Sequence, residues 1–180
     1  MPARGAHSRN LRLHRRMTES GCWFVTKSVA PRKPALDDAA RAAVCGSFRF
    51  YASRGVMTMA AFVVMPDHWH LLLAPKADST ISAFMRNLCR WISRETKQRL
   101  YEIGCEWEDG YYETRVQSAR QFHFISDYIE ENPVRAELCG TRNEWQWSSA
   151  SPVFRDCLTR PWPWLFEKDG TGSNGFFSDG

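Results

Sequence analysis

The order of elements along the chain predicts an α+β protein with a ferredoxin-like split βαβ arrangement. Apolar, β-branched runs alternate with stretches of helical periodicity, in the order strand–helix–strand–strand–helix–strand. The 180 residues are 43% hydrophobic and 24% charged, which suits one ordinary domain with a real core. We therefore expect a central antiparallel sheet of about four strands with two helices on one face.

In the first half of the chain, residues 22–26 are aromatic and β-branched and predict a strand, which Pro31 and Pro34 close. Apolar residues then recur at helical spacing from 37 to 54, and Gly55 ends that helix. Residues 56–64 form an apolar, and therefore central, second strand. The tight turn Met65-Pro66-Asp67 leads into a third strand over residues 68–74.

In the second half, Ser79 or Thr80 caps a long amphipathic helix that extends to about residue 103. Residues 111–116 predict the fourth strand. Ser118 begins a capping box and a third helix. Pro133 should end that helix near residue 132, because a residue before proline is disfavoured in the α region.

These elements divide the chain into a flexible basic arm (residues 1–20), one folded domain (21–150) and a C-terminal extension (151–180) that is partly disordered. No apolar run approaches the length of a membrane span. The six cysteines include no close pair, which favours reduced thiols over disulfides or a metal knuckle. We expect a soluble, cytoplasmic protein without a membrane partner, associated with the nucleoid when it is bound to DNA.

The charge distribution favours a nucleic acid partner. Residues 1–104 contain 17 Lys and Arg against 7 Asp and Glu, whereas residues 105–180 contain 7 against 13. Two basic groups are candidates for phosphate contacts, one in the arm and one forming a single-sign stripe on the second helix. The arm group consists of Arg9, Arg12, Arg15 and Arg16, and the stripe of Arg86, Arg90, Arg94 and Lys97. A merely solvated basic surface is the alternative.

His68 and His70 flank Trp69 on the third strand. Residues two apart in a strand point to the same face, so the two imidazoles form a bidentate platform for a divalent ion. The spacing also allows one histidine to be a hydrogen-bonded core residue and the other to be solvated.

Tyr128 and Asn132 are four residues apart on the third helix and share one face. A phenol can act as a covalent nucleophile, and an amide oxygen can be a neutral metal ligand. Taken alone, however, each residue also fits an ordinary role, Tyr128 in packing and Asn132 at the end of the helix.

The segment Met65-Pro-Asp-His68-Trp-His70-Leu-Leu-Leu resembles the His-hydrophobic-His signature of the single-tyrosine HUH transposases of the IS200 type. The segment from Asp127 to Val134 resembles their nucleophile helix, in the version found in REP-associated tyrosine transposases. Residues 21–26 and 144–149 are also similar to that branch. The four motifs occur in the right order over residues 20–150.

The resemblance implies a DNA-nicking and strand-transfer enzyme that acts on single-stranded DNA hairpins such as repetitive extragenic palindromes. It implies that Tyr128 is the nucleophile, that His68, His70 and Asn132 bind Mg²⁺ or Mn²⁺, and that a 5′-phosphotyrosine is the intermediate. The branch looks monomeric rather than dimeric. Gln117 and Gln121 depart from the usual arginine and acidic residue, so DNA contacts near them are in doubt.

Two other functions are compatible with this fold. One is a domesticated, sequence-specific DNA-binding protein with vestigial cleavage. The presence of both histidines and the tyrosine argues against it, because a pure binder needs none of them. The other is a ferredoxin-like RNA-binding module, but its aromatic strand motif is missing.

Overall fold

The computed structural model describes residues 21–75 and 79–159. It confirms the α+β fold class. The elements in chain order are β1 (Trp23–Ser28), α1 (Asp38–Ser53), β2 (Met57–Val64), β3 (His68–Pro75), α2 (Ile81–Ile103), β4 (Tyr112–Arg115) and α3 (Ala119–Arg135). Two short 3₁₀ helices follow, Arg142–Glu144 and Pro152–Cys157.

The four strands form one antiparallel sheet in the order β2-β3-β1-β4. The prediction that the second strand is central is therefore wrong, because β2 lies at an edge of the sheet. Its apolar sequence reflects burial by the chain that follows the last helix, which hydrogen-bonds to the outer edge of β2. α1 and α2 share one hydrophobic core with one face of this sheet. α3 packs on the opposite face, mainly against β2 and β3. The prediction of two helices on one face is therefore confirmed, and the third helix forms a separate layer.

Alternation along β3 separates the two faces. Trp69, Leu71 and Leu73 are fully buried and point toward α1 and α2. Leu72 and Ala74 point to the other face, into the smaller core beneath α3. Burial of each large apolar side chain stabilises the fold by about 1.5–3 kcal/mol, so β3 contributes to both cores.

The three helices begin where the sequence predicts. The side chains of Asp37, Thr80 and Ser118 each accept a hydrogen bond from the backbone N–H three residues later. These contacts satisfy donors that have no partner within the helix. α2 ends at Gly104, whose φ of 70° is left-handed and suits a residue without Cβ.

The prediction that Pro133 ends the last helix near Asn132 is wrong, because α3 continues to Arg135. Pro133 cannot donate to the carbonyl four residues earlier, and its ring crowds that carbonyl, but only two helical residues follow it, so little of the helix is affected. The carbonyls of Asn132 and Pro133 still accept hydrogen bonds, at 3.0 Å from Ala136 and at 2.9 Å from Leu138. Asn132 therefore lies within regular helix.

After α3 the chain returns to the outer edge of β2. The Ser149 N–H donates to the Phe62 carbonyl at 2.9 Å, and the Thr159 N–H donates to the Met59 carbonyl at 2.8 Å. Phe154 packs edge-on against the Phe62 ring at 5.0 Å. Residues 151–159, the beginning of the predicted extension, thus pack on the main core. The predicted arm and residues 160–180 lie outside the described residues.

Within the described ranges, none of the helices combines the length and apolarity that a membrane crossing requires. All six cysteines are free, and Cys22, Cys45 and Cys105 are buried. Burial raises the pKa of the Cys22 thiol to about 12, which keeps it protonated and unreactive.

Candidate active site

His68 and His70 lie on the face of β3 that is turned away from α1 and α2. Their ring centroids are 4.6 Å apart. Trp69, between them, is completely buried against the Phe48 ring on the other face. The strand therefore holds two imidazoles next to each other and fixes their backbone through the large core on its opposite face.

The Nδ1 atom of each imidazole has a neighbour in the structure. Thr26 Oγ1 of β1 lies 2.8 Å from His70 Nδ1. Asp67 Oδ1, in the preceding turn, lies 2.7 Å from His68 Nδ1. With the proton on Nδ1, each ring donates to its oxygen neighbour and presents the lone pair of Nε2. This orientation is the one that a metal-binding histidine needs.

The His70 ring is a buried base with an unsatisfied nitrogen. Its side chain is 5% exposed, and its Nε2 has no hydrogen-bond partner among the described residues. Burial, with a smaller contribution from neighbouring His68, lowers the pKa of His70 to about 3. The imidazole is therefore neutral at physiological pH, which is the form that donates electrons to a metal ion.

Tyr128 approaches this pair from α3, on the same side of the sheet. Its ring centroid lies 5.6 Å from that of His70 and 6.2 Å from that of Phe24 in β1. The Arg135 guanidinium is 5.7 Å from the centre of the tyrosine ring. Asn132 follows Tyr128 by one turn on the same helix face. α3 thus brings a phenol to His70, the inner member of the histidine pair, which is distant from it in sequence.

A buried carboxylate fastens α3 to the sheet. Glu130 is 5% exposed and accepts a hydrogen bond from Ser149 Oγ at 3.0 Å. The same serine hydroxyl accepts the Phe62 N–H of β2 at 3.0 Å. Arg142 lies 3.5 Å from the other oxygen of Glu130 and balances its charge. β2 in turn pairs with β3 at Val63 and His70, so the anchor connects the tyrosine helix to the histidine strand.

The donor set fits a divalent ion. No group of three or more His, Cys, Asp or Glu side chains gathers within residues 21–75 and 79–159. The predicted set therefore depends on Asn132 as a neutral third donor beside His68 and His70. Three neutral ligands preserve the full charge of an ion and leave coordination positions for water and substrate. The unsatisfied Nε2 of His70 is the structural sign that this position suits an ion.

Comparison with known proteins identifies the family. The family model described as "Transposase IS200 like" matches residues 24–132, which include both histidines, the tyrosine and Asn132. This chain belongs to the IS200-like transposase family. A search of curated proteins finds no match.

A solved structure shares the fold of this IS200-like transposase. A REP-associated tyrosine transposase bound to a REP hairpin superimposes with a TM-score of 0.62 at 20% identity, over 78% of this chain and 84% of that one. A putative transposase from Deinococcus radiodurans R1 gives 0.47 at 23% identity, over 61% and 88%. The former confirms the α+β fold of this chain, an antiparallel sheet with packed helices.

The predicted basic stripe lies on a different layer of the transposase from the histidines. Its four side chains are exposed on α2, whose buried side packs on the opposite face of the sheet. Arg94 also lies over the Trp91 ring at 4.2 Å and pairs with Glu95. The stripe and the histidine–tyrosine cluster therefore do not form one continuous surface. The arm arginines Arg9, Arg12, Arg15 and Arg16 lie outside the described residues.

The two glutamines that depart from the family pattern contact each other. The Gln117 N–H donates to Gln121 Oε1 at 2.8 Å, at the beginning of α3. Sequence reasoning missed Thr26, Asp67 and Glu130 as supports of the site. For Asp67 the signal was its position next to His68. Thr26 and Glu130 bind partners 44 and 19 residues away, so only the fold shows their role.

Proposed function

We propose that this transposase is a single-stranded DNA endonuclease and strand transferase that cleaves palindromic hairpin DNA through a 5′-phosphotyrosine. One observation supports this more than any other. A half-buried phenol, Tyr128, lies against the His70 imidazole, whose Nε2 has no partner among the described residues and whose ring is next to that of His68. Membership of a transposase family supplies DNA as the substrate.

In the proposed reaction, the Tyr128 oxygen attacks phosphorus in line with the leaving 3′ oxygen. A bond forms between the phenol oxygen and phosphorus, and the bond from phosphorus to the 3′ oxygen breaks. The phenol proton is lost to water, and the leaving oxygen takes up a proton to become a free 3′-OH. One phosphodiester replaces another, so the hydroxyl of a second strand can reverse the step and complete the transfer without a nucleotide cofactor.

The chain's own residues position the reacting groups. Glu130 and Ser149 hold α3 on the sheet, so Tyr128 is kept beside the histidines before DNA arrives. His68, His70 and Asn132 would hold Mg²⁺ or Mn²⁺. When bound, the ion supplies charge stabilisation for the phosphate oxygens in the transition state. Thr26 and Asp67 keep the ligand nitrogens turned to the site.

The proposed substrate is a hairpin with unpaired flanking bases, such as a repetitive extragenic palindrome. The related structure with a TM-score of 0.62 is bound to a REP hairpin. The exposed basic stripe on α2 and the basic arm are proposed to contact phosphates of the same DNA. We expect one protein molecule per hairpin.

The decisive experiment incubates the purified full-length protein with palindromes from the DNA that flanks its gene, supplied as 3′-labelled single strands with Mn²⁺. A denaturing gel should show a shortened strand and a covalent protein–DNA adduct. The label stays on the fragment that is joined through its 5′ phosphate. Tyr128→Phe should eliminate both products while hairpin affinity and melting temperature are retained.

Tyr101→Phe is the matched control, because Tyr101 is 83% exposed on α2 and lies on the other layer. That variant should nick normally. An adduct that persists in Tyr128→Phe would assign the nucleophile to another residue. Tight hairpin binding by the wild-type protein without any cleavage would instead support the domesticated DNA-binding protein.

A further inference from the structure

The face that carries His70 is only half covered by helix. α3 packs mainly over β2 and β3. Beside it, the side chains of Phe24, Thr26 and Ser28 on β1 remain half-buried, and Thr114 on β4 is exposed. We call this uncovered half of the face, formed by β1 and β4, the open shelf. It begins at Tyr128, which contacts Phe24.

Tyr112 stands on the open shelf in line with the histidine site. The sheet register pairs Thr26 with His70 on one side and with Tyr112 on the other. Directly paired residues share a face, so these three side chains form one row across three strands. With a strand spacing of about 4.8 Å, the backbone of Tyr112 is about 10 Å from that of His70. Its side chain is nevertheless 80% exposed.

Phe124 lies on the helix side of the same region. It precedes Tyr128 by one helical turn and shares its face of α3, yet it is 71% exposed. Single exposed apolar side chains are ordinary. Among the Phe, Tyr and Trp residues that the structure describes, however, just three are more than two-thirds exposed, and two of them, Tyr112 and Phe124, lie on the same side of the sheet as Tyr128.

We propose that Tyr112 and Phe124 are stacking platforms for unpaired DNA bases on the two sides of the scissile phosphate. The inference rests on the proposed function for its substrate, single-stranded DNA. Every base has a π face, so such platforms accept any sequence, and they hold the strand so that one phosphate stays near Tyr128. Bases in a duplex are already stacked on each other, so the platforms also select for unpaired strand.

The position of the open shelf next to Tyr128 favours unpaired DNA as its ligand. The open shelf starts at the candidate nucleophile, whose reaction needs a strand laid across this face. The third highly exposed aromatic residue, Tyr101, lies on the helix layer behind the sheet. It therefore provides a control of the same residue type and similar exposure.

The test measures binding of a fluorescent hairpin that carries unpaired bases on both sides, by anisotropy with the full-length protein. Tyr112→Ala and Phe124→Ala should each weaken binding by roughly 5- to 150-fold, the loss expected for one stacked base. Tyr112→Phe should bind like wild type, because it keeps the ring. Tyr101→Ala should have no effect. Unchanged affinity in both alanine variants would overturn the proposal.

A second probe, with abasic sites in place of the unpaired bases, separates stacking from a general loss of structure. On this probe, wild type and Tyr112→Ala should bind equally. A loss that is as large on the abasic probe as on the intact one would overturn stacking, as would a change of oligomeric state in either alanine variant.

The proposed function is tested independently by the adduct formed at Tyr128. If the wild-type protein forms the adduct and neither Tyr112→Ala nor Phe124→Ala weakens binding, the stacking platforms are refuted and the proposed function is retained. A base-dependent defect without any adduct supports the platforms and refutes the chemistry.

Discussion

The two faces of the sheet use the same strands but differ in what covers them. On one face Trp69, Leu71 and Leu73 of β3 are completely buried beneath α1 and α2. On the other, α3 covers only part of the sheet, and the histidine strand borders the open shelf. The covered face has the larger core, and the half-covered face has the two histidines.

This difference shows how a small domain can tolerate polar groups in its sheet. The unsatisfied nitrogen of His70 is costly in a buried position. The continuous core on the opposite face compensates for that cost through the same backbone. Stability and chemistry are thus separated by the alternation of side chains, residue by residue, and substitutions on the two faces should have different consequences.

The largest expected effect is on chemistry alone. His68→Ala or His70→Ala should reduce nicking on the order of 10³-fold, because an ion that stabilises the transition state by several kcal/mol is lost. Hairpin affinity should change little. Chelation of divalent ions should have the same effect on the wild-type protein. His123→Ala, an exposed histidine on α3, is the control. Normal nicking by the single variants in chelator-treated buffer would show that the pair is structural.

A substitution on the covered face should affect stability instead. Trp69→Ala removes a fully buried indole and should lower the free energy of unfolding by about 3–5 kcal/mol, measured by urea titration. Tyr101→Ala, on the exposed side of α2, should change it by less than about 0.5 kcal/mol. The separation of faces would be refuted if Trp69→Ala left unfolding unchanged and abolished nicking.

Glu130 is a residue at which one substitution should reduce both stability and nicking. It lies on the buried side of the tyrosine helix, and Glu130→Ala removes the acceptor of the Ser149 hydroxyl and one of the carboxylates beside Arg142. We expect a loss of about 1–3 kcal/mol in unfolding free energy together with slower nicking, because α3 is no longer fixed.

Glu131→Ala is the matched control for the Glu130 variant. Glu131 is the neighbouring residue, and in the described part of the chain its ion pair is with Arg142 at 3.8 Å. Because this pair is partly exposed, Glu131→Ala should lower the free energy of unfolding by at most about 1 kcal/mol. Equal behaviour of the two variants would exclude the anchor.

The smallest effect is expected from the basic stripe. Replacing Arg86, Arg90, Arg94 and Lys97 by glutamine should weaken hairpin binding and lower its salt dependence by about 0.9 per lost duplex phosphate contact. The nicking rate at saturating DNA should not change, because the stripe lies on the layer behind the sheet.

Replacing the four arm arginines should also lower the salt dependence of hairpin binding, by about 0.7 for each lost single-strand phosphate contact. An unchanged slope in either variant would remove that group from the DNA interface.

Periodicity was sufficient to predict the order and approximate bounds of the elements. Local chemistry also predicted the cap at Ser118 and limited the cap of α2 to Ser79 or Thr80, of which the structure has Thr80, since a cap and its partner are three residues apart. The end of α3 was mispredicted because the cost of Pro133 depends on its place within the helix. The contact of Tyr128 with His70 joins residues 58 positions apart. It depends on which face of the sheet α3 covers, and the spacing of residues along a helix does not determine that face.

The turn Met65-Pro66-Asp67, which joins β2 to β3, should not tolerate insertions or deletions. The Met65 N–H donates to the His68 carbonyl at 2.8 Å, which fixes where β3 begins. Inserting or deleting one residue here, with strand pairing otherwise kept, would exchange the two sides of β3. Both imidazoles would enter the large core, and Trp69 would face the open side. Length variation at this hairpin should therefore be eliminated by selection, as should substitution of Asp67, whose carboxylate orients His68.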